Sequence, residues 1–382
     1  MDTLRKNLQR GIREMKIIRV CSFFYPVRGG MENHLFNITK ELVKLGNEVT
    51  VYTSNSTRED KLKPGIEITN KVKIIRFNTW FMLTKFSPLF PFAYLKTLTA
   101  DYDVLHVNSF RQFHNLNLIL AKLRNKKTVL GIHWPEYPKE VRTLIINLII
   151  PLFDKTLGKL ILKCSDKLIV QSNEEKQWLT NKFKVNANKI EIIPPGIEKD
   201  YLKLRDKNKF RKKYKIKGNL VLYLGRIHKS KGVDKIIKIS KEFQKTTFVI
   251  AGSGPELKEL KRIASKNIIF TGEVSEEEKL EALASCDIFI HPTNYDAFGI
   301  TILEAYAQKK PVLASNIGGV PSAVGKGGLL FDKDNLEDLK EKVKKLLSSP
   351  KLRKELGVIG RKQVESLTWD KIAKLEENVY KK

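Results

Sequence analysis

Residues 194–232 read PPGIEKDYLKLRDKNKFRKKYKIKGNLVLYLGRIHKSKG, and this stretch decides the fold. A proline-rich turn leads into a strongly basic segment, Lys203 to Lys217, and an apolar run, LVLYLGRI, follows it. Ahead of the stretch, from Met15, the β-rich runs KIIRVCSF, EVTVYTS, DVLHVNS, KTVLGIHW and KLIVQS alternate with helical ones such as MENHLFNITKELVKLG. Behind it the alternation starts again. LVLYLGRI, TTFVIAG, IIFTGEV, IFIHPT and PVLAS are separated by helices from VDKIIKIS, PELKELKRIAS and SEEEKLEALASC, the last with Ser275 and Glu278 at capping-box spacing. Strands alternating with helices predict a parallel sheet covered on both faces. The restart therefore predicts two doubly wound, Rossmann-like α/β domains with a boundary near Pro194 to Lys217. Ligands of such sheets bind beyond the C-terminal ends of the strands, so two facing domains are expected to place a central cleft between them.

Composition narrows the partners. A chain of 382 residues can supply two domains, each with its own core. Its net charge of +29 favours acidic partners: nucleic acid, nucleotide phosphates or an anionic membrane surface. Cys21, Cys164 and Cys286 are far apart and form no CxxC pair, which argues against a disulfide framework or a zinc site and suits a reducing compartment. Residues 1–14, MDTLRKNLQRGIRE, have no apolar leader core and read as a basic extension ahead of the first strand. The longest apolar run, LIINLIIPLF at 144–153, is about half of what a membrane-spanning helix needs. A cytoplasmic protein, soluble or peripheral on the inner face of a membrane, is expected.

Several chemistries drop out by motif. No GxGxxG follows the first strand, the second strand ends VYTSN without an acidic residue, and no GxxxxGK[ST] occurs, so dinucleotide and P-loop sites are not indicated. Asp101 and Asp103 resemble a metal-binding pair but precede their strand, at the edge away from the expected cleft, and a structural role is expected. The run Ile300 to Ala307 within NYDAFGITILEAYAQKK is apolar nearly all round, hence a buried helix, yet it contains Glu304. An unpaired buried carboxylate costs several kcal/mol, so Glu304 needs a partner. No Lys or Arg precedes it at helical spacing, which leaves a ligand or a bond from a neighbouring segment as equal alternatives. Gly29 and Gly30, after the first strand, would let backbone N–H groups approach a phosphate or sugar, or simply make a turn. His133 ends the strand VLGIH, and Arg226 and Lys231 share the strand-end loop LGRIHKSKG, where two cations can neutralise a diphosphate. Taken singly, these are a structural histidine and surface cations.

Together, GRIHKSKG, FVIAGSGPE, FTGEVSEEEKLEAL, DAFGITILEA, PVLAS, IGGVP and the closing TWDKIAKLEENVYKK resemble, in order and spacing, the glycosyltransferase family 4 proteins. These are retaining nucleotide-sugar enzymes of the two-domain GT-B fold. The resemblance covers Met15 to Lys382 and is more specific in the second half. It implies an acceptor-side domain over 15–200, a nucleotide-sugar-binding domain over 201–365, and a helix over 366–382 that returns to the first domain with Trp369 as anchor. It implies that Glu304 holds the donor ribose, that Arg226 and Lys231 bind the diphosphate, and that Gly30, with Gly29 before it, lies near the leaving phosphate. His133 matches the histidine near the transferred sugar, Phe298, Gly299 and Ile300 present a helix N-terminus, and Val274 and Lys279 stand where the base is contacted. Asp296 occupies the place of the first glutamate of the family's E-x7-E, and Ser322 that of a frequent glutamate after GG-x-P. The catalytic set implied is His133, Asp296, Arg226 and Lys231, with hexosyl transfer to a hydroxyl, no metal, no cofactor and no protein general base.

The acceptor is expected at a membrane, as a lipid-linked glycan or glycolipid. FNTWFMLTKFSPLFPFAYLK, 77–96, has seven aromatics and two prolines and reads as an exposed apolar rim. LIINLIIPLFDKTLGKLILK, 144–163, suits an interfacial helix, although a place in the core is its first expectation. Two other functions fit parts of the sequence. A nucleotide-sugar epimerase would need acid and base carboxylates, of which Asp296 is the clear candidate. A nucleic-acid-binding protein would explain the charge, but the charge is spread over both halves rather than gathered with aromatics on one module.

Overall fold

Every β-rich run named above is a strand in the computed structural model, which describes residues 14–27, 29–57, 59–134, 136 and 143–382. The basic extension expected over residues 1–14 lies, up to residue 13, outside the described residues. By Cα proximity the chain divides into two units, the first running to Val170 and adding Lys176–Ile193 and Ile372–Lys382. The second comprises Gln171–Glu175 and Pro194–Lys371.

The first unit is built on β1 (Lys16–Cys21), β2 (Glu48–Ser54), β3 (Gly65–Thr69), β4 (Val72–Phe77), a small ribbon of β5 (Phe81–Met82) and β6 (Pro88–Leu89), then β7 (Val104–Asn108), β8 (Lys127–Gly131), β9 (Lys167–Val170) and β10 (Ile190–Ile192). Its main sheet has the order β10-β9-β8-β7-β1-β2-β4-β3, parallel except for the edge strand β3 against β4. The strand order reverses between β1 and β7, so the loops that follow these two strands are neighbours at the C-terminal edge. Five of the six residues of β1 are buried, as a strand covered on both faces requires. The second unit holds β11 (Asn219–Leu224), β12 (Thr246–Ala251), β13 (Ile268–Gly272), β14 (Ile288–His291), β15 (Val312–Ser315) and β16 (Gly328–Phe331). Their order is β13-β12-β11-β14-β15-β16, wholly parallel, with its reversal between β11 and β14.

One residue of β1 breaks the apolar run. Arg19 is 1% exposed, and its charge is met by Glu376 of the helix Trp369–Lys381, Nη1 to Oε2 at 2.8 Å. Asn108 Oδ1 accepts from Nη2 at 3.3 Å, and Tyr380 donates its hydroxyl to the same Glu376 oxygen at 2.8 Å. His106 Nδ1 lies 2.7 Å from that hydroxyl. Further along the helix, Glu377 accepts from Asn47 at 2.8 Å. Trp369 is not part of this seam: it belongs to the second unit, where its ring closes on Gly196, at which a Cβ would come within 2.7 Å of the indole.

The core expectation for residues 144–163 holds in its second part, where Ile161 and Leu162 are buried, and is overturned in its first. Helix Leu144–Lys155 turns Leu144, Ile145, Leu148, Ile149 and Leu152 to solvent and buries only Asp154, which Arg111 holds at 2.8 and 2.6 Å. Apolarity alone does not say which side of a helix a core will cover. Among the described residues, no helix is long and apolar enough to cross a membrane.

The buried ion pair gives the first prediction. Glu376→Ala leaves the Arg19 guanidinium charged and unpaired, and should lower stability in urea unfolding by about 3–5 kcal/mol. Adding Arg19→Met should recover most of that loss. A single variant as stable as the parent would mean that the pair does not hold the C-terminal helix.

Candidate functional site

In the second unit the site grows out of the strand reversal. β11 and β14 are neighbours, so the loop carrying Arg226 and Lys231 meets the loop carrying Asp296. Asn294 and Tyr295 donate their backbone N–H groups to the Ser230 carbonyl at 2.8 and 3.1 Å, and the Thr293 hydroxyl donates to it at 2.9 Å. Gly232 makes the approach possible: its φ is 62°, and a Cβ there would lie 2.1 Å from the Pro292 carbonyl oxygen. The packed loops bring Lys231 Nζ to 2.6 Å from Asp296 Oδ2, while His291 Nε2, at the end of β14, lies 3.1 Å from the same oxygen. Burial pushes the Asp296 carboxyl up, but the Lys231 charge and the His291 bond outweigh it and hold the group far below the usual carboxylate range. Asp296 is therefore ionised at neutral pH. Arg226 is exposed, with no ion pair among the described residues.

Phe298, buried in the core, fixes the turn that follows. Gly299 then caps the helix Ile300–Ala307 in a left-handed conformation, φ 88°, with no side-chain cap and no acidic residue in the first turn. The positive end of the helix is left for something else to meet. One turn further in, Glu304 is 8% exposed. Its Oε1 accepts from Lys279 Nζ at 3.1 Å, whereas Oε2 is buried with no hydrogen-bond partner among the described residues. Of the two alternatives for Glu304, a bond from a neighbouring segment is present at Oε1. Burial pushes its carboxyl up, and Lys279 offsets part of that. Lys279 comes from the helix Glu276–Ser285, also meets Glu276 at 2.9 Å, and lies 4.8 Å from the centre of the Tyr201 ring. Val274, half-buried, precedes Ser275, whose side chain caps that helix. Ser322 donates to Glu174 Oε2 at 2.6 Å and accepts from Asn173 N at 3.2 Å.

The first unit has its own cluster at the C-terminal edge of its sheet. Gly29 caps the helix Gly30–Lys44 without a side-chain bond, and a Cβ on Gly30 would meet nothing within 4 Å. The protein's own packing does not require glycine at position 30. His133 lies just past β8 with φ 57°, its ring edge-on to His34 at 5.7 Å. Burial, with the Arg19 charge, lowers His133 to about 4, so its imidazole is neutral at pH 7. At the opposite edge of the sheet, Asp101 binds Lys16 Nζ at 2.6 Å and Asp103 accepts from the Lys16 N–H at 2.9 Å.

Three residues that motif reading passed over belong to these clusters: His291, His34 and Lys235. A histidine closing an apolar strand is the signal for the first. Lys235, on an otherwise apolar face of the helix Val233–Ser240, donates to Asn294 Oδ1 at 2.6 Å and the Pro292 carbonyl at 3.2 Å, so it props the Asp296 loop from below. Burial lowers its pKa from 10.5 to about 8. The folded protein releases this proton through about pH 8 while the unfolded chain keeps it to 10.5, so stability rises with pH across that window and is lowest below it. The stability of the parent relative to Lys235→Met should therefore increase from pH 8 to 10.5 in urea titrations, and a flat difference would contradict the burial.

Residues 28–201 match the family described as Glycosyltransferase Family 4, and residues 205–363 the family described as Glycosyl transferases group 1. An uncharacterized glycosyltransferase of Methanocaldococcus jannaschii is 28% identical over 97% of this chain and 99% of its own length. The GPI3 subunit of the Saccharomyces cerevisiae phosphatidylinositol N-acetylglucosaminyltransferase is 25% identical over 81% of this chain and 69% of its own. Among solved structures, Anabaena HepE in complex with UDP-glucose superposes with a TM-score of 0.73 at 17% identity, over 96% of this chain and all of that one. With both halves matched and the strand orders described above, the chain belongs to the family 4 glycosyltransferases and has the GT-B fold.

Proposed function

We propose that this transferase moves a hexosyl group from a nucleoside-diphosphate sugar to a hydroxyl of a lipid-linked glycan or glycolipid, with retention of configuration. The observation that carries the proposal is Glu304 Oε2, a buried carboxylate oxygen without a hydrogen-bond partner among the described residues, on a helix that Gly299 leaves without a side-chain cap. A ribose cis-diol supplies two O–H donors to such a carboxylate, and a diphosphate supplies charge for the helix end. HepE, bound to UDP-glucose, supports the donor class, and the GPI3 subunit, by its name part of a phosphatidylinositol glycosyltransferase, supports a lipid acceptor.

In this reading Val274 and Lys279 border the base and Glu304 binds the ribose. Arg226, Lys231 and the N–H groups at Phe298, Gly299 and Ile300 take the charge that grows on the leaving diphosphate. Lys231 begins paired with Asp296 and exchanges that partner for the diphosphate, which frees Asp296 for a sugar hydroxyl. In the first unit, Gly29 and Gly30 leave backbone N–H groups open to a phosphate, and His133 offers a neutral imidazole to a sugar hydroxyl. The bond from the anomeric carbon to the phosphate oxygen breaks through an oxocarbenium-like state. The leaving phosphate takes the acceptor proton, and the acceptor oxygen bonds on the face it left. Charge stabilisation rests on Arg226, Lys231 and the helix end, and no metal is assigned a step. An epimerase fits less well, because Asp296 is held ionised by Lys231 and His291 and, among the described residues, is bonded to no second carboxylate that could serve as acid. We place the enzyme at the cytoplasmic face of a membrane, where the free Cys21, Cys164 and Cys286 suit a reducing compartment.

Glu304→Ala should weaken donor binding in calorimetry by about a hundredfold or more, since charge-assisted hydrogen bonds are lost. Donor bound as tightly as by the parent would remove the ribose role. A thermal-shift panel of uridine, guanosine and adenosine diphosphate sugars should contain at least one stabilising ligand, and a panel without one would count against the whole proposal.

Arg226→Ala and Lys231→Ala should each lower kcat by roughly a hundredfold or more, because both face charge made in the transition state. Turnover should survive EDTA. Loss of rate with chelator, restored by magnesium or manganese, would replace the metal-free mechanism.

A further inference from the structure

The first unit carries a broad apolar surface in solvent. On helix Leu144–Lys155, the residues Leu144, Ile145, Leu148, Ile149 and Leu152 fall on one face, with Leu144 83%, Leu148 77% and Leu152 65% exposed. A second group, Trp80, Phe81, Leu83, Phe92 and Leu95, is likewise exposed. Both groups rest on the loop after β7. Phe81 packs edge-on against Phe113 at 5.5 Å, and Phe153, on the inner side of the helix, packs against Phe110 at 5.8 Å. Trp80 stands on Phe92 at 6.1 Å, which ties the second group together. Side chains this large are not normally left in water over so wide an area without a partner.

Charge selects the partner. Lys85, Lys96, Lys155, Lys159 and Lys163 are exposed in the same two segments. Across 77–100 and 143–165 the one acidic residue is Asp154, buried against Arg111. An apolar face bordered by lysines and free of exposed acid suits a lipid surface with anionic headgroups. It suits a second copy of the chain poorly, because a two-fold axis would bring the lysines of each copy against those of the other. At 12 residues the helix is too short to span a bilayer and long enough to lie in its headgroup layer.

We propose that this surface docks the protein on an anionic bilayer, with helix Leu144–Lys155 in the interface plane and Trp80 and Phe81 inserted beside it. The surface adjoins the loop after β7, at the sheet edge that also carries His133, so a lipid-anchored hydroxyl reaches the protein at the strand ends. The proposal rests on the lipid-acceptor reading for its purpose, and on exposure and charge for its evidence.

The test is sedimentation of the full chain with vesicles of equal parts phosphatidylcholine and phosphatidylglycerol, at low and high salt, with pure phosphatidylcholine as reference. The protein should pellet with the anionic vesicles at low salt. Leu148→Ser/Leu152→Ser should weaken that binding at least about tenfold, from the apolar area withdrawn. Lys155→Gln/Lys159→Gln/Lys163→Gln should weaken it roughly a hundredfold, at about fivefold per lysine, and the loss should shrink in high salt. Because all five side chains are in solvent, the variants should melt like the parent and keep its thermal shift with nucleotide sugar. Parent protein left in the supernatant at low salt would overturn the docking surface. So would a leucine variant that pellets like the parent, or a parent dimer that the leucine variant dissociates. Vesicle binding without any nucleotide-sugar shift would leave the docking surface standing and remove the transferase reading instead.

Discussion

Glu304 concentrates the constraint on which the second unit turns. A carboxylate in an apolar helix is tolerable when its charge is balanced, and Lys279 balances it from one side only. The helix that carries Lys279 must therefore stay in register with the helix that carries Glu304, and the Ser275 cap and the Tyr201 ring both help to hold it there. The open oxygen is a standing deficit of hydrogen bonding, and one that a ligand with adjacent hydroxyls removes. Strand order does the remainder: because β14 lies beside β11, the Asp296 and Lys231 loops meet and form an ion pair before any substrate arrives.

The two sheets were legible in the sequence because strands covered on both faces read as unbroken apolar runs, as in KIIRVC and NLVLYL. The edge strand β3 and its inner neighbour β4 escaped, since GIEIT and VKIIRF mix charge with apolar residues. Glu304 was legible as an anomaly, one charge in an apolar helix, but Lys279 was not legible as its partner. That contact joins two helices, and no periodicity within either one points across. Arg19 and Glu376 were hidden for the same reason at far greater separation, 357 residues along the chain. Helix Leu144–Lys155 misled in the other direction, because its composition is that of a core helix and only the fold reveals that its apolar face is outside.

The charge balance of the chain is spent differently in its parts: Asp296, Asp154 and Glu376 are each paired with a cation, and the lysines of 77–100 and 143–165 stand without exposed acid beside apolar surface. A net charge of +29 is thus no uniform coating. Some of the cations are held ready by internal carboxylates, and others face outward unopposed.

The central claim is that Glu304 Oε2 is kept for ribose. The direct measurement is a calorimetric cycle pairing the best-bound nucleoside diphosphate and its 2′,3′-dideoxy form with the parent protein and Glu304→Ala. If the ribose is bound there, removing the hydroxyls weakens binding strongly in the parent and hardly at all in the variant. Equal penalties in the two proteins would contradict it.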